Sequence, residues 1–257
     1  MAFLYPDYGS DGVKTLTRMN GQCGDMLMDI DLRKLPAGKT LSLHDSSKEM
    51  IVLLMTGRVE LKWESEKAVA ERDDIFTQKP WVLHAARDLP VSISALADSE
   101  ILIQATDNSR VFPSKLYRPE DNRVIVSCEG KWENTAVRDV ITTIDYENAP
   151  YSNLVIGEVV QRQGRWAGYI PHHHPQPEVY YFRFDKPQGF GASFIGDEAH
   201  MIKDGSFAAI PGGKSHPQVT APGYRLYFCW MIRHLDGNPW TDRIDVEDHK
   251  WLLDAHF

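Results

Sequence analysis

The sequence predicts an all-β protein: two jelly-roll β-barrel modules with a short C-terminal helix. Three observations predict it. Short apolar or alternating runs recur along the whole chain and are separated by clusters of Gly, Pro, Asn and Asp, the pattern of strands and turns. A helical period is weak except over Asp245–His256. The layout of the first half is repeated in the second, which is how two copies of one β-module read.

In the first half, Met50–Met55 is an apolar run, Thr56-Gly57 reads as a turn, and 58–63 (Arg-Val-Glu-Leu-Lys-Trp) alternates. Strands are expected next over Val91–Leu96 and Glu100–Ala105. Residues 106–122 break the pattern with Thr106-Asp107-Asn108-Ser109-Arg110 and Arg118-Pro119-Glu120-Asp121-Asn122, so the modules are expected at 1–115 and 123–257. The second half continues with strands at Asn153–Val160, Glu178–Phe184, Phe207–Ile210 and Arg225–Ile232.

Composition bounds the function. The 257 residues suffice for a sizeable core. Acidic residues outnumber Lys and Arg 36 to 28, for a net charge of −8, and no basic stripe marks a nucleic-acid partner. No apolar run approaches the ~20 residues of a membrane span. The start, MAFLYPDYGSDG, has neither the basic nor the apolar region of a secretion signal. Cys23, Cys128 and Cys229 are odd in number and far apart, as befits reduced thiols in the cytoplasm.

The chemistry concentrates in two stretches. The first is His172-His173-His174-Pro175-Gln176-Pro177-Glu178. On a strand, His172 and His174 share a face and His173 points away. The second is Gly205-x5-Pro211-x-Gly213-x2-His216, a turn, a strand and another imidazole. His172, His174, Glu178 and His216 are therefore the candidate ligands of one divalent metal, zinc or manganese, in a mixed nitrogen and oxygen set. His200, His234, His249 and His256 read as ordinary surface or capping residues.

Both stretches resemble the two cupin motifs, HxHxxxE and GxxxxxPxGxxHxxxN, with Thr220 standing where the final Asn would be. The resemblance implies a bicupin. The first half keeps only His44 and Glu49 for the first motif and Asp74-x5-Pro80-x3-His84 for the second. It lacks the HxH pair and the turn glycine, and is expected to be a degenerate module without a metal.

The second half is similar, beyond the superfamily, to the 5-deoxy-glucuronate isomerases of myo-inositol catabolism. The resemblance rests on Gly157-Glu158-Val159, Gly164-Arg165-Trp166, 169–174 (Tyr-Ile-Pro-His-His-His) and 178–184 (Glu-Val-Tyr-Tyr-Phe-Arg-Phe). It continues through Pro187-Gln188-Gly189-Phe190-Gly191, Ile202-Lys203-Asp204-Gly205, His216-Pro217 and 221–227. It implies a metal-dependent aldose–ketose isomerase that converts 5-deoxy-glucuronate to 5-dehydro-2-deoxy-gluconate through an enediolate. The sister activity, the 4-deoxy-5-hexulose-uronate ketol-isomerase of pectin breakdown, is the alternative, because the His174–Glu178 connection is shorter than in many of those isomerases. A cupin dioxygenase and a non-enzymatic sugar-binding cupin complete the alternatives. The expected partner is a small sugar acid, with neither nucleic acid nor membrane, and a homo-oligomer is compatible with the chain.

An isomerase must also move a proton. Tyr180 shares the parity of Glu178 and is the candidate acid or base, with Tyr227 behind it. Lys214, two residues before a ligand, is the candidate partner of the substrate carboxylate, ahead of Arg162, Arg165 and Arg183.

Overall fold

The computed structural model describes residues 3–255, which form two compact units, one of residues 6–122 with 149–154 and the other of residues up to 5 with 123–148 and 155 onward.

The first unit holds a nine-stranded antiparallel sheet system. Its organiser is the 16-residue strand Lys48–Trp63. The first part of that strand pairs with Val82–Ala85 and Ser99–Asp107, and the second with Glu66–Arg72 and Val91–Ala95. Thr56-Gly57, expected to be a turn, lies inside this strand instead. Gly57 has φ +103°, and a Cβ there would sit 2.4 Å from Ser99 Oγ and 2.5 Å from the Asp98 carbonyl oxygen. The glycine bends one strand across two sheets rather than ending it. Alternation then fills the unit with Met50, Val52, Leu54, Val59, Leu61, Trp63, Ile93, Ile101 and Ile103.

The second unit is built on a seven-stranded antiparallel sheet. Its order is Phe3–Leu4, Phe207–Ile210, Glu178–Phe184, Leu226–Arg233, Leu154–Gln161, Arg138–Ile144 and Arg123–Ser127. A second sheet pairs Trp166–Ala167, Gln218–Thr220, Phe190–Ile195 and Glu198–Lys203. The core lies on one face of the large sheet, with Val155, Val159, Tyr180, Phe182, Phe228, Trp230 and Ile232. The C-terminal helix is a 3-10 helix over Glu247–Leu253, held where the Trp132 indole donates to the Leu252 carbonyl at 2.9 Å.

The expected division at 115 and 123 differs from these units in three places. Phe3–Leu4 pairs with Ala208 and Phe207, so the chain start belongs to the second unit. Lys115–Tyr117 adds a strand to Val82–Ala85, which carries the first unit to residue 122. Residues 149–154 return to the first unit, where Asn108 Nδ2 donates to the Tyr151 carbonyl at 2.9 Å. Neither dipeptide pairing nor a return segment has a periodicity to read in sequence. Among the described residues no helix is long and apolar enough to cross a membrane.

Candidate metal centre

Glu178 opens the strand Glu178–Phe184, which is rich in aromatic and β-branched residues and lies between Phe207–Ile210 and Leu226–Arg233. Alternation places Glu178 and Tyr180 on the face that also carries Phe228, Trp230, Val159, Val140 and Arg138 from neighbouring strands. These residues, with Ile125, Ser127, Gly168, His172, His174 and 240–243, line a cavity of about 330 Å³.

The two sequence motifs are joined here by backbone. Gly213 (φ +83°) donates its N–H to the His174 carbonyl at 2.7 Å. A Cβ on Gly212 would lie 1.9 Å from the Pro175 carbonyl oxygen. Only glycines allow the turn after Pro211 to lie this close to the first motif and deliver His216 beside it.

His174, Glu178 and His216 form a buried group whose ligand atoms all lie within 4.8 Å of one another, a site able to hold a metal ion. Glu178 Oε2 is 3.2 Å from His174 Nε2 and 3.2 Å from His216 Nε2. His172 lies outside that group but lines the same cavity, its ring 4.9 Å from that of His216 and edge-on to it. Its strand is only two residues long, paired to Ile244–Asp245. The Nδ1 atoms of all three histidines face backbone carbonyls: His172 to Ile170 at 2.9 Å, His174 to Gln176 at 3.0 Å, His216 to Lys214 at 2.9 Å. With Nδ1 donating, the tautomer leaves the Nε2 lone pair open, the outer support that metal-ligating histidines have. His216 Nε2 is buried and makes no hydrogen bond. The donor set thus fits a divalent ion.

Electrostatics agree. Burial, and after it the neighbouring His216, push the His172 imidazole well below its usual range. Burial also lowers that of His216, against the opposing pull of Glu178. Both rings are therefore neutral near pH 7, the form that binds metal. The Tyr180 phenol is pushed well above its usual range, first by burial and then by the neighbouring Glu178 carboxylate. It stays protonated and is poised to donate.

Other candidates are placed elsewhere. Lys214 is exposed and lines a separate cavity with His173, Gly196 and Lys250, so it does not reach the cluster. Its carbonyl turns toward His216 Nδ1 and its side chain turns out. Tyr227 has the opposite parity to Phe228 and donates instead to buried Glu158 at 2.6 Å. Arg183 Nε pairs with Asp204 at 3.1 Å, and Arg162 and Arg165 line another cavity. His234, expected at the surface, is buried and accepts from the Trp240 N–H at 2.8 Å. His200 stacks on Phe3 and His249 is half-buried, while His256 lies outside the described residues.

Two cations of the cavity had no sequence signal. Arg138 is nearly buried, and that burial lowers its guanidinium from its usual range. Arg243 lines the same cavity and is tied to Asp245 at 3.2 Å.

In the first unit the remnants of the motifs part company. His44 is exposed and pairs with Asp88 at 2.8 Å. Glu49 and His84 meet in the interior at 2.8 Å. The Glu49 carboxylate also accepts from Asn108 Nδ2 at 3.0 Å, Ser152 Oγ at 2.8 Å and the Asn153 N–H at 2.6 Å.

Two β-barrel units, one of them with a His/Glu cluster assembled from an HxHxxxE stretch and a Pro-Gly-Gly turn, define a bicupin with a candidate metal centre. Solved structures bear out the fold. An IolB-like protein from Salmonella typhimurium LT2 superposes with a TM-score of 0.88 at 18% identity, covering 98% of this chain and 99% of that one. The oxalate decarboxylase of Lactobacillus farciminis superposes with a TM-score of 0.71 at 13% identity, covering 100% and 91%. The profile of the KduI/IolB family matches residues 3–252, and the chain belongs to that family. Curated relatives named 5-deoxy-glucuronate isomerase include one from Geobacillus thermodenitrificans, 25% identical over 242 residues (86% of this chain, 84% of the relative). Another, from Bacillus subtilis strain 168, is 23% identical over 264 residues, 95% of each chain.

Proposed function

We propose that this chain is a metal-dependent aldose–ketose isomerase that interconverts 5-deoxy-glucuronate and 5-dehydro-2-deoxy-gluconate. The observation that carries the reading is the convergence of His174 and His216 on the buried carboxylate of Glu178, with His172 in the same cavity and each of the three histidines holding Nδ1 against a backbone carbonyl. The relatives named 5-deoxy-glucuronate isomerase supply the substrate.

His174, Glu178 and His216 hold the ion, zinc or manganese, and His172 is its fourth ligand. When bound, such an ion polarises adjacent carbonyl and hydroxyl oxygens as a Lewis acid. The protein's own part is to position the sugar and move one proton between neighbouring carbons. Tyr180, protonated and beside Glu178, donates toward the substrate oxygen. Phe228, Trp230 and Trp240 wall the cavity and keep bulk water from the reacting carbons. The catalytic unit is the one containing residues 123–148 and 155 onward, and the other is a degenerate cupin. The three free cysteines fit a cytoplasmic enzyme.

The test is a pair of NMR assays on metal-replete protein with 5-deoxy-glucuronate and with 4-deoxy-5-hexulose-uronate. Loss of the aldehyde signal of 5-deoxy-glucuronate supports the proposal. Turnover of the hexulose-uronate alone assigns the sister activity, and turnover of neither refutes isomerisation.

A further inference from the structure

The cavity contains a buried cation whose countercharge the protein does not provide. Arg138 is only 5% exposed and lines the cavity with His172, Glu178 and Tyr180. Its guanidinium donates to the Ala136 carbonyl at 2.8 Å and the Tyr169 carbonyl at 3.2 Å, and lies 3.4 Å from Cys128 Sγ. Neutral carbonyls satisfy donors but leave the charge uncompensated. Among the described residues no carboxylate forms an ion pair with Arg138.

The carboxylates near it are engaged elsewhere. Glu178 faces His174 and His216. Asp242 is exposed and accepts the Arg243 backbone N–H at 2.8 Å. The second cation of the cavity, Arg243, adds like charge rather than cancelling it. It is itself 38% exposed at the side chain and shared with Asp245. Burying a guanidinium without an anion is costly, and a fold tolerates the cost where an anion from outside completes the pair. A guanidinium also presents a planar fork that matches a carboxylate with two parallel hydrogen bonds.

The geometry points to Arg138 as the group that binds the carboxylate of an acidic sugar in this cavity, with Arg243 as the outer cation of the same subsite. This deepens the proposed function and rests on it for the substrate class. It replaces Lys214, which lines another cavity. It also orients the sugar: with the carboxylate at Arg138, the far end of the molecule is the part turned toward the His/Glu cluster.

The experiment compares an acidic sugar with its neutral counterpart, so that it reads binding independently of turnover. Glucuronate and glucose are titrated into metal-loaded protein by NMR, with wild type, Arg138→Met, Arg138→Lys, Arg243→Met and Lys214→Met. Wild type should prefer glucuronate. Arg138→Met should abolish the preference, weakening glucuronate about 100-fold, the usual scale for truncating one partner of a buried charge pair, and leaving glucose unchanged. Arg138→Lys should keep part of the preference, Arg243→Met should lose a smaller part, and Lys214→Met should lose none. Metal content should stay constant throughout. If 5-deoxy-glucuronate is turned over, Arg138→Met should raise KM far more than it lowers kcat.

A wild type without the preference overturns the inference. So does an Arg138→Met protein that keeps it, or that weakens both sugars equally or loses metal, since those are the marks of an arginine that only holds the Ala136 and Tyr169 carbonyls. If Arg138→Met does not fold, Arg138→Lys decides by the same ratio. A preference abolished by Arg138→Met in a protein inactive on both uronates would keep the acid subsite and remove the isomerase reading.

Discussion

Each unit buries a glutamate against a histidine, and the two pairs are wired in opposite ways. In the first unit, Glu49 collects four donors: His84 Nε2, Asn108, Ser152 and the Asn153 N–H. His84 spends its Nε2 on the carboxylate, and its Nδ1 has no partner. In the second unit every candidate histidine spends its Nδ1 on a backbone carbonyl, and His174 and His216 turn their Nε2 atoms to Glu178. The same two residue types therefore make a closed hydrogen-bond knot in one place and an open donor array in the other. What separates them is which ring nitrogen the backbone takes, and whether protein donors have already filled the carboxylate.

The largest effect expected from this contrast is on metal. Glu178→Ala and His216→Ala should strip the ion, seen by elemental analysis, and lower turnover by about 100-fold or more, since even outer-shell losses reach that scale. Glu49→Ala and His84→Ala should leave metal content and turnover unchanged. Full occupancy in His216→Ala, or metal loss in Glu49→Ala, would break the comparison.

Ser152 and Asn108 are committed to Glu49, whereas Tyr180 shares the strand face of Glu178 and lines a cavity. Tyr180→Phe should retain metal and lower kcat by about 10²–10⁴-fold, the range for a general acid, with little change in KM. A change of only a few-fold would make it a packing residue like Phe228.

The knot in the first unit should act on stability. Glu49→Ala leaves buried donors on Asn108, Ser152 and Asn153 unpaired, at about 1–3 kcal/mol for each. Urea melts should show a lowered midpoint, whereas Glu60→Ala, on the same strand but half-buried, should shift it by about 0.5 kcal/mol or less. Equal midpoints would show that the first unit tolerates the loss of this buried carboxylate and the unpaired donors around it.

The smallest effect is in pH. His172 and His216 are held below their usual range in the folded, metal-free protein. The unfolded chain then binds more protons than the folded one between the lowered values and about 6.5, so stability falls as pH drops through that window. Thermal melts of chelated protein from pH 7.5 to 5 should show this slope, and His216→Asn should flatten it. A slope unchanged in that variant would place the titration elsewhere.

Much of the second unit was legible in the chain itself. The strands Glu178–Phe184 and Phe207–Ile210 are where their aromatic and apolar runs place them, and that at Leu226–Arg233 is one residue off. Periodicity of two and turn glycines are local properties, so sequence suffices for them. The same holds for the His174, Glu178 and His216 set, because two motifs on adjacent strands need only a tight turn to meet. Lys214 was misplaced for a related reason: nearness in sequence to a ligand does not say which way a side chain leaves a Gly-Gly turn.

Tertiary structure decided the rest. Gly57 reads as a turn until Ser99 and Asp98 are packed against it and the strand is seen to bend. Arg138, more than thirty residues before the first candidate ligand, reaches the cavity because its strand pairs with Leu154–Gln161 and alternation turns it inward. Ser152 and Asn153 find Glu49 about a hundred residues away. Local patterning determined which segments are strands and which residue types can hold a metal. Long-range register determined which cation faces the cavity, and whether a buried carboxylate is left open or tied shut.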